Sequence, residues 1–253
     1  MARHIEAWMD GAALSSLGPF LIQGAQEDPA ETQVSTYSKL GADGSWFGDI
    51  RRTSLRVTLL VAIRELYDLS RRASLAETLA AWAQGRVLEL SNRPNRRLRV
   101  RCTTPPALGS VRSYTEELRV EWTAWAPPYW EDNTPTLLDL SGAETEGSIH
   151  VPGTAESPLR LTVTPSSALT DFTVTAGGQT ITLEELAVPA GTPLIFDRDA
   201  RDGLRITAGG VSQMMKRTAA SADDLLLSPG MAEITTSANV PCGVRCEARG
   251  RWL

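Results

Sequence analysis

The chain has 253 residues and a formal net charge of −5, with 42% hydrophobic and 22% charged residues. That length buries one large core or two ordinary ones without disulfides or metals, and the acidic balance argues against general nucleic-acid binding. Two histidines (His4 and His150) and three cysteines (Cys102, Cys242 and Cys246) exclude most zinc sites and most histidine-based acid–base schemes.

The first residues, MARHIEAWMDGAAL, place charges within the first six positions and hold no uninterrupted apolar stretch, so they do not read as a signal peptide. The apolar run Leu59 to Ile63 falls far short of the ~20 residues of a membrane span. The expectation is a soluble protein made in a cytoplasm. The stretch Val34 to Asp49, with Gly41-Ala-Asp43-Gly44 at its tip and Trp46-Phe47 beyond, is longer than folding alone requires.

Leu55, Val57, Leu59 and Val61 alternate with Arg56, Thr58 and Leu60, the period of a half-buried strand. Ser74 with Glu77 three residues on forms a capping box, which predicts a helix starting there. Leu75, Leu79 and Trp82 share one face of it, and Gly85 is placed to stop it. Val87 to Leu90 follows as a strand. Leu98 and Val100 alternate with Arg97, Arg99 and Arg101, and Leu118, Val120 and Trp122 alternate with Arg119 and Glu121. Antiparallel strands with a helix laid against them make an α+β domain.

A boundary near residues 131–142 separates residues 1–137, with 16 basic and 16 acidic side chains, from residues 138–253, with 9 and 14. Six of the seven tryptophans lie in the first part. The second is rich in Thr, Ser, Gly and Ala, and short strands recur between turn residues. They are Leu159–Val163, Phe172–Thr175 before Gly177-Gly178, Ile181–Leu183, Pro193–Asp197, Leu204–Ile206, Leu225–Leu227 and Ile234–Thr236. Asp202-Gly203 reads as a hairpin turn. This spacing indicates an all-β sandwich.

Four groups of residues are candidates for chemistry. The arginine run Arg93-Pro-Asn-Arg96-Arg97-Leu-Arg99-Val-Arg101 has the charge of a phosphate-contacting strand. It lacks interleaved aromatics to stack bases, and Arg97, Arg99 and Arg101 read instead as one solvated or carboxylate-facing strand face. The segment Trp122-Thr-Ala-Trp125-Ala-Pro-Pro-Tyr129-Trp130 offers rings for stacking a sugar, but Trp122 alternates with core positions and the rest reads as packing where the first domain ends. The adjacent acids Glu116-Glu117, Glu184-Glu185, Asp197 with Asp199, and Asp223-Asp224 match no metal loop and have no histidine partner. Cys242 and Cys246 form a C-x3-C that fits half a metal site or a disulfide; with Cys102 left over and no second ligand pair, all three read as buried or idle thiols. No G-x-S-x-G, P-loop or H-E-x-x-H occurs, so no catalytic, cofactor-binding or metal residue is assigned.

Along nearly its whole length the chain resembles the distal tail proteins of siphophages and related tailed particles. Asp10-Gly11 with Leu14 and Leu17-Gly18 resembles the family's opening turn, Arg51 to Ile63 its central strand, and Arg93-Pro-Asn-Arg96-Arg97-Leu98 the strand after its helix. Ala124-Trp125-Ala126-Pro127-Pro128-Tyr129-Trp130 is similar to its A-x-x-P-x-W domain ending. In the second half, Gly153 to Leu159, Ala190 to Asp197, and Leu227-Ser228-Pro229-Gly230 with Ile234 resemble its G-x-x-x-x-P, G-x-x-L-x-I-D and L-x-P-G-x-N-x-I segments; Ala232 or Glu233 stands where Asn is often found.

The resemblance implies a structural, non-enzymatic virion protein of mainly β fold, with a ring-forming N-terminal α+β domain (1–137) and a galectin-like β-sandwich (138–253). It implies a homo-hexameric ring that joins the tail tube to the baseplate or tip and docks tip and receptor-binding proteins, while genome DNA passes the lumen without specific binding. The implied place is the virion tail tip, without membrane insertion and with no cofactor. The second half holds no large insertion, so the chain looks like the short form without a carbohydrate-binding module. Val34 to Asp49 is expected to be an intersubunit hairpin. A carbohydrate-binding adhesion module is the competing reading; against it, the second half has only Trp252 and no His–Asn–Arg cluster.

Overall fold

The computed structural model describes residues 5–37, 46–64, 68–106, 117–199 and 203–253. The chain divides into two compact units, Met1–Trp130 with Leu253, and Glu131–Trp252. The expected boundary after Leu137 falls inside a strand, Thr136–Val151.

In the first unit the alternating segments become strands, as expected. Leu55–Ile63 pairs antiparallel with Glu117–Ala124, from Glu117 opposite Ala62 to Ala124 opposite Leu55. Phe20–Asp28 and Arg101–Thr104 complete a four-stranded sheet in the order Phe20–Asp28, Leu55–Ile63, Glu117–Ala124, Arg101–Thr104. On its two central strands one face is apolar: Leu55, Val57, Leu59, Val61, Leu118, Val120 and Trp122 are each at most 2% exposed. Burying each aliphatic side chain of this size stabilises by about 1.5–3 kcal/mol. Ala7–Met9 forms a hairpin with Ala12–Ala13 through Asp10-Gly11, whose φ values of +50° and +83° fit a two-residue primed turn. Val87–Leu90 and Arg96–Arg99 extend that ribbon into a second sheet.

The helix α1 covers Leu69–Trp82. It starts five residues before the expected Ser74. Asp68 is the cap, its carboxylate accepting a hydrogen bond from the Arg71 amide at 3.1 Å, and Ser74 lies inside the helix with its carbonyl accepting from the Thr78 hydroxyl. Leu79 and Trp82 are buried as predicted. Gly85 lies past the end, but its φ is not positive. A Cβ there would sit 2.2 Å from Met9 Cγ, so close approach is what requires glycine.

In the second unit two long strands organise everything else. Gly230–Ala248 pairs with Thr136–Val151 along nearly its full length. Its first part, Ile234–Ala238, also takes Phe172–Ala176, and its last part, Cys242–Ala248, takes Ser157–Pro165. Beyond these lie Gln179–Leu183 on one side, and Leu194–Asp199, Gly203–Ala208 and Val211–Ser212 on the other. The sheet therefore curls over its own core, and Phe172 meets Phe196 with ring centroids 5.7 Å apart. A bulge between Gly142 and Glu144 shifts the inward set of Thr136–Val151 from even residues (Leu138, Leu140) to odd ones (Ile149, Val151). The predicted hairpin joining Leu194–Asp199 to Gly203–Ala208 is formed, although residues 200–202 of its turn lie outside the described residues. The fold is mainly β, with one α-helix among the described residues.

Candidate functional site

The feature most open to a partner is the segment predicted as a long hairpin. Thr32–Tyr37 pairs with Trp46–Arg52 in a two-stranded sheet separate from the others. Its tip, with Gly41 to Gly44, lies outside the described residues. The register of the main sheet runs straight into it: Asp28 faces Arg56 before the break at Pro29, and Thr32 faces Arg52 after it, four residues on along each strand. At about 3.3 Å per residue the six residues of Thr32–Tyr37 add a reach of roughly 20 Å.

The described side chains of this arm are exposed. Every residue from Glu31 to Thr36 is exposed, so side chains alternating to both faces meet solvent, and Val34 is 40% exposed. A two-stranded ribbon without a third layer is marginal in water. Its root is tied by the Thr53 amide and hydroxyl, which both donate to the Glu31 carbonyl, while the Glu31 amide donates to Thr53 Oγ1.

Directly behind the root, the Glu27 carboxylate accepts from Arg93 Nε at 3.2 Å and Nη2 at 2.8 Å, and from the Trp130 indole N–H at 3.1 Å. The Arg93 guanidinium lies 6.0 Å over the Trp130 ring. Trp130 is fully buried. Arg93 and Trp130 stand out in the sequence for other reasons, whereas Glu27 does not. The only local signal near it was Asp28-Pro29, which marks a strand end.

The rest of the arginine run departs from expectation. It is two strands in two sheets: Arg96–Arg99 pairs with Val87–Leu90, and Arg101–Thr104 pairs with Glu117–Ala124. The break falls at buried Val100, whose amide donates to the Arg86 carbonyl, so Arg97 and Arg101 do not share one strand face.

The aromatic segment divides in a similar way. Trp122 and Trp130 are buried, whereas Trp125 is 56% exposed. Trp252 donates its indole N–H to Asp132 at 2.8 Å and is half-buried. Among the described residues Trp125 is the one exposed tryptophan.

The paired acids are distributed among arginines. Asp223 takes Arg217, Asp224 takes Arg198, and Asp197 shares Arg160 with Glu247. Glu117, Glu184 and Glu185 are exposed, and Glu116 and the side chain of Asp199 lie outside the described residues. Among the described residues no three His, Cys, Asp or Glu side chains gather as a metal site, and no helix is long and apolar enough to cross a membrane. Cys242 and Cys246 point into the same core from one strand, with Val244 between them, and all three cysteines are free. Four strand residues span about 13 Å, beyond the reach of a disulfide. Burial raises each thiol above its ordinary range, that of Cys246 to about 12, with Asp139 adding to the shift.

No protein-family model matches the chain, and no curated protein sequence matches it. Solved structures do. The Dit protein of phage SPP1, described as a paradigm of the hub adsorption apparatus in phages infecting Gram-positive hosts, superposes with a TM-score of 0.68 at 12% identity, over 97% of this chain and 98% of that one. A chain of the phage P2 baseplate in its activated, calcium-containing conformation gives a TM-score of 0.50 at 8% identity, over 99% and 98%. The chain has the fold of the SPP1 Dit hub protein over nearly its whole length.

Proposed function

We propose that this chain is a structural virion protein, a distal tail hub that links the tail tube to the baseplate or tip. In this reading copies assemble as a hexameric ring through the first unit, the second unit is galectin-like and docks tip or receptor-binding proteins, and DNA passes the lumen without specific recognition. The observation that carries it is the whole-length likeness to the SPP1 hub protein, which covers both units in order. The arm supports the ring: an uncovered ribbon with Val34 exposed has the form of an element that gains its third layer from a second copy. The ion pairs of Arg with carboxylates that recur across the surface suit such interfaces.

The test is assembly of the purified protein. Native mass spectrometry and negative-stain electron microscopy are expected to show six-fold rings, and gold-labelled antibody is expected at the tail tip of the particle. A protein that stays monomeric at high concentration overturns the ring. Deleting residues 38–45 is expected to abolish rings; rings that persist overturn the role of the arm.

A further inference from the structure

We infer that Glu27 is the positioning residue of the arm: by holding Arg93 and Trp130 together at the arm's root, it presents the ribbon already aimed to a second copy of this chain. The inference rests on reading the arm as an intersubunit element. Its physical basis is the exposure of the strand Thr32–Tyr37 and the geometry at its root. On the strand Thr32–Tyr37 every residue from Thr32 to Thr36 is exposed, so no buried layer lies against that stretch among the described residues. Direction is then decided where the two strands enter the body.

That passage has an outer and an inner tie. The outer tie is the set of hydrogen bonds between Glu31 and Thr53, which joins the arm's strands to each other. The inner tie is Glu27, one residue before the last pair of the main sheet, Asp28 opposite Arg56. Its carboxylate takes three donors from two distant parts of the first unit. Arg93 comes from the loop between Val87–Leu90 and Arg96–Arg99, and Trp130 from the strand Trp130–Asp132.

The geometry is directional. A bidentate guanidinium fixes the plane of the carboxylate as well as its place, and the indole N–H adds a third fixed direction. The Trp130 side is fully buried, so it does not shift easily, and Arg93 stacks over the same ring. An arm aimed in advance forfeits less freedom when it binds than one that swings, and the difference appears in the affinity between copies.

The test uses the full chain with four changes made separately: Glu27→Gln, Arg93→Lys, Trp130→Phe, and deletion of residues 38–45. Mass photometry on dilution reads the concentration of half-assembly, and calorimetry reads Tm. Glu27→Gln keeps size and shape but loses the charge that holds Arg93, and is expected to raise the half-assembly concentration about tenfold. Arg93→Lys keeps charge without the fork and is expected to fall between it and the parent. Trp130→Phe removes the indole N–H together with part of the buried ring, and serves if Glu27→Gln fails to fold.

A spin-label distance between Gln33→Cys and Glu77→Cys, in a Cys102→Ala background diluted to monomers, reads the arm's direction itself. Both labelled positions are exposed. The distance distribution is expected to broaden in Glu27→Gln at unchanged Tm, which a purely structural role would not produce. An unchanged distribution overturns the inference whatever the assembly shows. If the deletion abolishes assembly while Glu27→Gln leaves both readouts alone, the inference falls and the reading of the arm stands. If the deletion leaves rings intact, that reading falls, and the claim that Glu27 aims the arm toward a second copy falls with it.

Discussion

The indole N–H of Trp122 donates to the main-chain carbonyl of Ala83 at 2.8 Å, inside the core of the first unit. Ala83 caps the C-terminal end of α1, where the last carbonyls have no partner within the helix. One side chain of the sheet therefore both fills the core and closes the helix. Trp82 meets its ring edge-on, at 5.9 Å between centroids and 82° between planes, and sends its own N–H to the Ala12 carbonyl. Trp122→Phe keeps an aromatic ring but leaves the Ala83 carbonyl buried and unpaired, and is expected to cost about 1–3 kcal/mol. Trp122→Ala adds a cavity and is expected to cost about 3–5 kcal/mol. Urea unfolding followed by helical circular dichroism checks both, since α1 is the one α-helix described. A Trp122→Phe variant as stable as the parent would show that the hydrogen bond contributes nothing.

Gly85 and Gly11 need glycine for different reasons, and substitution separates them. At Gly11 the space is open but φ is +83°, so Ala is strained and Asn, which tolerates that region, is expected to restore part of the loss. At Gly85 a Cβ would meet Met9 Cγ at 2.2 Å and Asp10 Oδ2 at 2.6 Å. Met9 is buried, and the Asp10 carboxylate is engaged by the amides of Arg86 and Val87, so neither yields freely. Gly85→Ala is expected to cost about 1–3 kcal/mol, and Gly85→Asn more. Melting temperatures of the four variants check the opposite ranking of Ala and Asn at the two sites.

These two sites also show what was legible in the sequence. Local rules find the strands whose apolar residues alternate, the helix, its buried face, and the turn at Gly177-Gly178; the turn at Asp10-Gly11 comes from the family resemblance. They misplaced the start of α1, because its first turn, Leu69-Ser70-Arg71-Arg72, shows no apolar period, while the period begins at Leu75. The strand Thr136–Val151 overlaps the expected boundary near residues 131–142 for a similar reason: most of its side chains are not buried, and the bulge at Gly142 breaks its parity. The arginine run looked like one strand because nothing local signals that Val100 turns from one sheet into another. Glu27 was beyond reach altogether. Its partners lie 66 and 103 residues away, and only the assembled fold brings a lone strand carboxylate to them.

On the outer surface of the second unit, Arg160 stands between Glu247 at 3.3 Å and Asp197 at 3.8 Å, and Asp197 faces Arg205 on the next strand. Charges thus alternate across four neighbouring strands. Arg160 is 46% exposed, so water screens the pairs and Arg160→Ala is expected to cost no more than about 1 kcal/mol. Arg160→Glu places three carboxylates side by side and is expected to cost more, since like charges opposite each other in a sheet repel. The gap between the two variants should close in about 1 M salt, where the screening length falls to about 3 Å. Urea midpoints at low and high salt measure it. A gap that survives high salt would mean that shape rather than charge sets the preference.

The buried thiol of Cys246 gives the fold a dependence on alkaline pH whose sign can be worked out. Burial, aided by Asp139, pushes this thiol up to about 12 from an ordinary value of 9.0. A thiol raised in the folded state holds its proton longer there than in the unfolded chain. Its stabilising contribution is therefore fully present below pH 9 and is lost as pH rises from about 9 toward 12. Urea midpoints are expected to fall across that window, and Cys246→Ala is expected to flatten the fall while lowering stability at pH 7 through its small cavity. The same burial governs reactivity, because only the thiolate attacks. Half-buried Cys102 is expected to react first with an aromatic disulfide reagent at pH 8, and Cys242 and Cys246 only on unfolding. Rapid reaction of all three thiols in the native protein would show that the core around Gly230–Ala248 opens to solvent.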